Sequence, residues 1–125
     1  MNARELDMLV ATEVMEWELG TYLSSQAWMN KDGAWSGWWV EQYYHDDGPA
    51  WNPSTDIAAA MDVLELLRKT YFHVQINVFS DSVNAIIWQD DITPLFDAEA
   101  ESIQMAISLV ALKAKGIEIG KEVGE

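Results

Sequence analysis

Five of the seven tryptophans in this chain, Trp28, Trp35, Trp38, Trp39 and Trp51, fall within 24 positions, with Tyr43 and Tyr44 interleaved. A flat heteroaromatic ring stacked on an aromatic side chain gains roughly 1–3 kcal/mol with little regard to which base it is. A cluster of this kind therefore suits a nucleobase. The ordinary explanation is packing, because aromatic residues favour strands and dominate small cores. Strand alternation nevertheless sends Trp38 and Trp39 to opposite faces, so one face needs a further cover: a helix, a second copy of the chain, or a flat ligand. Trp35, Trp39, Tyr43 and Trp51 are the candidate ring contacts, joined by Trp88 later in the chain.

Polar contacts come from two places. Ser54 and Thr55 stand at the predicted start of a helix, where backbone N–H groups hold a phosphate without help from basic side chains. Their competing use is simple capping, and Asp56 beside them opposes an anion. His73, Gln75 and Asn77 alternate with apolar residues in FHVQINVF, which puts them on one face of a strand. No glycine-rich GxGxxG or GxxxxGK[ST] segment is present, so an ordinary dinucleotide or triphosphate site is not supported. His45-Asp46-Asp47, His73 and Asp90-Asp91 offer metal-ligand types, yet HDDGP reads as a turn and DDITP as a loop, and their spacing supports no metal. No cofactor is expected. Nucleophilic catalysis lacks a G-x-S-x-G elbow and a partner for either histidine, and no carboxylate pair stands out among the 21 acids. The expected protein is not an enzyme.

Positioning these residues requires elements that the patterning predicts. Leu6, Leu9, Val10, Val14 and Trp17 recur at spacings of three and four, giving helix one over Ala3 to about Glu18, with Asp7 on its wet face and Gly20 at its C-cap. SSQAWMN and AWSGWWVEQYY read as a hairpin around Lys31-Asp32-Gly33. Helix two follows Pro53, with Ser54 as N-cap, Asp56 in the first turn, a stripe of Ile57, Ala60, Met61, Leu64 and Leu67 widened by Ala59, Val63 and Leu66, and Arg68 and Lys69 at its end. FHVQINVF and VNAIIWQ form a second hairpin. A two-residue loop at Asp81-Ser82 pairs Val78 with Ala85 and Ile76 with Ile87, and gathers His73, Gln75, Asn77, Asn84, Ile86 and Trp88 on the other face. Helix three opens near Asp97; nine of the twelve residues from Ile103 to Ala114 are apolar, so it lies mid-domain or under a second copy.

The balance of seven Lys plus Arg against 21 Asp plus Glu gives a formal net charge of −14. Such a surface repels nucleic acid and anionic lipid over the ~8 Å Debye length of physiological salt, so direct nucleic-acid or membrane binding is not expected. With no cysteine, disulfides and thiolate chemistry are excluded. Glu5 and Asp7 interrupt the place of a secretory leader, and no apolar run approaches the ~20 residues that span a bilayer. A chain of 125 residues buries roughly two thirds of its surface without staples. One domain over 1–118 is expected, with a flexible tail over 119–125.

Three segments resemble the small phage proteins described as having a phage ABA sandwich domain. They are LDMLVATEVMEWEL, a helix ending on a tryptophan; WNPSTDIAAAMDVLELL, a proline-serine-threonine-aspartate-isoleucine lead into an alanine-rich helix; and AESIQMAISLVALKAKG, an alanine-rich closing helix. The resemblance implies a virus or prophage product of the host bacterial cytoplasm with a layered α/β/α fold, and it carries no catalytic residue. The expected architecture is thus an α+β three-layer sandwich, in the order α-β-β-α-β-β-α with antiparallel hairpins. The aromatic first hairpin departs from the family pattern, so a ligand site there is particular to this chain. The expected function is counter-defence by trapping a small nucleotide-derived signal of bacterial immunity, in a chain that self-associates. The alternative is an acidic inhibitor that docks on a basic host protein, as a nucleic-acid mimic does. Hydrolysis of the signal is a third, weaker reading.

Overall fold

The computed structural model describes residues 2–22, 25–39 and 50–117. Tyr43, the turn at 45–49 and the tail at 119–125 lie outside the described residues. Helix α1 spans Ala3–Leu9 and runs on into a π-helical turn, Val10–Val14. Three strands follow: β1 (Glu18–Tyr22), β2 (Ser25–Met29) and β3 (Trp35–Trp38). Then come α2 (Ile57–Thr70), β4 (His73–Val78), β5 (Val83–Trp88), β6 (Pro94–Ala100) and α3 (Ile103–Ala114). The strands form two antiparallel three-stranded sheets, ordered β1-β2-β3 and β4-β5-β6. This is the α+β class expected, with an additional strand beside each hairpin.

Both additional strands correct the sequence reading. Helix one ends earlier than Glu18, because Glu16 takes φ +60° and the Trp17 N–H turns back to donate to the Ala11 carbonyl at 2.9 Å. The chain then extends, and Gly20 pairs with Ala27 in mid-strand instead of capping a helix. At the other end, Asp97 belongs to β6, where it pairs with Ile86. Helix α3 starts after Ser102, whose side chain accepts the Met105 N–H at 3.2 Å. The turn at Lys31-Asp32-Gly33 forms as read; Asn30 Oδ1 accepts the amides of Asp32 and Ala34, and Gly33 takes the positive φ (+88°) that glycine tolerates.

In the second sheet the pairing is Val78 with Val83, Ile76 with Ala85 and Val74 with Ile87. It slips two residues from the expected register, because the two-residue loop falls one position earlier, at Ser80-Asp81, closed by a bond from the Phe79 N–H to the Ser82 carbonyl. A slip of two keeps every side chain on its face. Val83, Ala85 and Ile87 point into the core, where α3 lies over β5 and β6 and also meets α2 and the π-helical turn. Ala106, Ile107, Val110, Ala111 and Leu112 of α3 are fully buried within one chain, so the mid-domain alternative describes this helix.

Helix α2 buries Ala59, Ala60, Val63 and Leu67, while Ile57 and Met61 of the expected stripe are exposed. Its N-cap is Asp56, not Ser54: the Asp56 side chain accepts the Ala59 N–H at 3.4 Å.

Candidate functional site

Two hollows hold four of the residues that sequence reasoning singled out, Trp51 in one and His73, Gln75 and Trp88 in the other. The larger, of about 430 Å³, lies between the end of β3 and the first turns of α2. Trp38 and Trp51 form its indole walls, Ser36 lies at its β3 side, and Asp56 and Asp62 contribute carboxylates from the helix. Backbone pairing sets the walls: the Trp51 N–H donates to the Trp38 carbonyl at 2.8 Å. Gly37 permits the approach, since a Cβ there would stand 3.0 Å from the Cβ of Trp51. The Trp51 ring rests on Trp17, with centroids 4.5 Å apart, and its Nε1 donates to Asp62 Oδ2 at 2.9 Å. That bond fixes the indole and leaves Asp62 lone pairs available for other donors.

The volume falls within the range of small-molecule pockets, roughly 300–1,000 Å³. Trp38 is backed by Tyr22, whose ring stacks on it at 5.8 Å and on Trp35 at 5.1 Å. Trp35 therefore supports the wall and does not line the hollow. Trp39 is also placed elsewhere. It is buried edge-on against Trp28 at 5.6 Å, beneath the Arg4 guanidinium at 3.8 Å from its ring centre. The two faces to which alternation sends Trp38 and Trp39 are thus covered differently, one by Tyr22 and the hollow, the other by Trp28 and Arg4.

The second hollow, of about 280 Å³, sits on the outer face of β4 and β5. It brings together His73, Gln75 and Trp88 with Phe72, Asp90 and Asp91. A directional chain of hydrogen bonds crosses this face. Trp88 Nε1 donates to Gln75 Oε1 (3.0 Å), Gln75 Nε2 to Asn77 Oδ1 (2.8 Å), Asn77 Nδ2 to Asn84 Oδ1 (3.3 Å), and Asn84 Nδ2 to the Ala98 carbonyl (3.3 Å). Asn77 thus reaches the hollow only through Gln75. The Asp90 carboxyl is held below its usual range, first by the Ile92 N–H and then by Thr93, so it closes the loop into β6.

Ser54 and Thr55 do not form an anion site. The Ser54 amide donates to Asp7 Oδ1 at 2.8 Å, and the amides of Thr55 and Asp56 donate to the Asn52 carbonyl at 3.1 and 2.8 Å. With those donors engaged, a phosphate would find the first of the expected partners already taken. Asp7, expected on a wet face, is instead 3% exposed. Trp38, Asp56 and Asp62 line the larger hollow and are residues that the sequence reading did not name as contacts. Among the described residues no three histidine or carboxylate groups converge as a metal site, and no helix is long and apolar enough to cross a membrane.

A family model described as Phage ABA sandwich domain matches residues 8–112. The fold is similar to a crystal structure of a phage protein from Bacillus cereus, with a TM-score of 0.63 and 19% sequence identity, over 96% of this chain and 93% of that one. Among curated proteins no relative matches.

Proposed function

Because this chain belongs to the phage ABA sandwich domain family, we propose that it acts inside the infected bacterium as a counter-defence protein that traps a small nucleotide-derived signal without transforming it. The observation that carries the reading is the 430 Å³ hollow walled by Trp38 and Trp51. A base inserted there meets the little that Trp38 and Trp51 leave accessible, 9% and 7% of each residue, on two indoles already held by Tyr22, Trp17 and Asp62. Little ordering then remains to oppose binding, which is the benefit of a site formed in advance. Sequestration needs only affinity.

Calorimetry against cyclic nucleotides and cyclic ADP-ribose isomers tests the proposal. Ala58 is exposed on α2 and lines the hollow, so Ala58→Trp occludes it without touching the core. Heat of binding in the native chain, lost by at least about tenfold in affinity in Ala58→Trp at an unchanged unfolding midpoint, is the expected result; a tenfold loss corresponds to about 1.4 kcal/mol. Recovery of intact ligand after denaturation separates trapping from hydrolysis, and recovered fragments would argue for turnover.

A second reading rests on Asp97 and Glu99, exposed on the outer face of β6 in a chain of net charge −14. Here the acidic surface docks on a basic host protein. Capture of such a partner that weakens steeply with salt supports it.

A further inference from the structure

The charge and hydrogen-bonding capacity of the larger hollow select among nucleotide-like ligands. Its described lining holds no lysine, arginine or histidine, while Asp56 and Asp62 both face it. Carboxylates accept hydrogen bonds and donate none when ionised. One Asp62 oxygen already accepts the Trp51 indole N–H, and one Asp56 oxygen accepts the Ala59 amide. The remaining acceptor positions, set beside two indoles, call for a flat ring with N–H groups on its edge. A phosphate placed there would meet two carboxylates inside a chain of net charge −14 with no cation of the described lining to neutralise it.

We infer that the hollow reads an amino-bearing base through the Asp62 and Asp56 carboxylates and leaves any phosphate outside in solvent. The guanine edge, with its adjacent N1–H and N2–H donors, fits best; adenine and cytosine offer a single amino group, and uracil offers one ring N–H flanked by two carbonyl oxygens that the carboxylates repel. This inference rests on the trapping proposal and names what that site takes. Recognition by acceptor groups is discriminating even with Asp62 exposed and Asp56 half-buried, because a ring lacking the donors displaces water from the carboxylates without replacing its hydrogen bonds.

Calorimetry with guanosine, adenosine, cytidine, uridine and guanosine 5′-monophosphate provides the test, on the native chain and on Asp62→Asn. Asparagine keeps an oxygen for the Trp51 indole but loses the charge and half of the acceptor capacity, and near-ultraviolet circular dichroism verifies that the tryptophans stay in place. The expected order is guanosine first and uridine weaker by about tenfold or more, with Asp62→Asn reducing guanosine affinity by a similar factor. The 5′-phosphate leaves binding unchanged or weakens it, and the weakening shrinks as salt screens the repulsion. Uridine binding as tightly as guanosine, or a phosphate that tightens binding, overturns the inference while leaving the trapping proposal standing. Absence of binding by all five of these ligands overturns the inference, and absence of binding by the cyclic nucleotides and cyclic ADP-ribose isomers as well overturns both.

Discussion

Asp7 ties α1 to the segment leading into α2 through one buried contact, its carboxylate accepting the Ser54 N–H at 2.8 Å. Burial pushes its carboxyl above the ordinary 3.8, and the Ser54 backbone amide opposes that rise. The folded chain therefore holds the Asp7 proton to a higher pH than the unfolded chain. Stability from this group is fullest below 3.8, falls as pH climbs through the raised folded value, and is constant above it. Asn at this position keeps an oxygen for Ser54 and has no charge to bury. Urea unfolding of the native chain and Asp7→Asn should thus show the variant gaining relative stability from acidic to neutral pH, then levelling off; a difference independent of pH contradicts the assignment. Asp7→Ala leaves the buried amide unpaired and should cost about 1–3 kcal/mol. Nothing in the sequence marks Asp7 for this role. An acidic residue in an amphipathic pattern reads as solvated, and its partner lies 47 residues away.

Elements were legible where periodicity was unmixed. The alternation in FHVQINVF gave the correct faces of β4 and β5 even though the register moved by two, because side-chain direction depends only on parity. Strand β6 carries an equally clean signal, Phe96, Ala98 and Ala100 half-buried against exposed Asp97, Glu99 and Glu101, but acids after a proline also describe a helix start. Strand β1 had no such signal: Glu18–Tyr22 has four of its five residues exposed or nearly so, and Gly20 sits where a cap was due. The candidate site was legible by type and not by assembly. Of the ring contacts expected, Trp51 does wall a hollow, joined by Trp38, which was not among them, whereas Trp35 and Trp39 became support and core. Asp56 and Asp62 were hidden because their approach to β3 depends on packing across the domain. The true caps give an element-level prediction. Ser102 holds the start of α3, a helix buried on most sides, so Ser102→Ala should lower unfolding free energy by about 1 kcal/mol and Ser102→Asp should restore most of it in chemical denaturation. Equal loss in both variants would show that the cap bond contributes nothing.

At the scale of the whole molecule, charge opposes compaction more than it supports it. A chain of 125 residues has a radius of gyration of about 14 Å. At ~0.01 M salt the Debye length is about 30 Å, so each carboxylate feels nearly all the others; at physiological salt it falls to ~8 Å and only neighbours remain. The ion pairs among the described residues are Lys31 with Glu16, and Arg68 and Lys69 with Glu65, all on the surface. Exposed pairs of this kind contribute little, and they neutralise few of the 21 acids. Repulsion among the remainder is therefore the larger electrostatic contribution, and screening should relieve it. Added sodium chloride should raise the thermal midpoint steadily from low to physiological ionic strength, with most of the rise at the dilute end where the Debye length changes fastest. Calorimetric or circular-dichroism melting measures this directly. A midpoint that falls with salt over the same range would mean that attractive pairs dominate, and would remove the electrostatic argument for keeping phosphate out of the hollow beside Trp51.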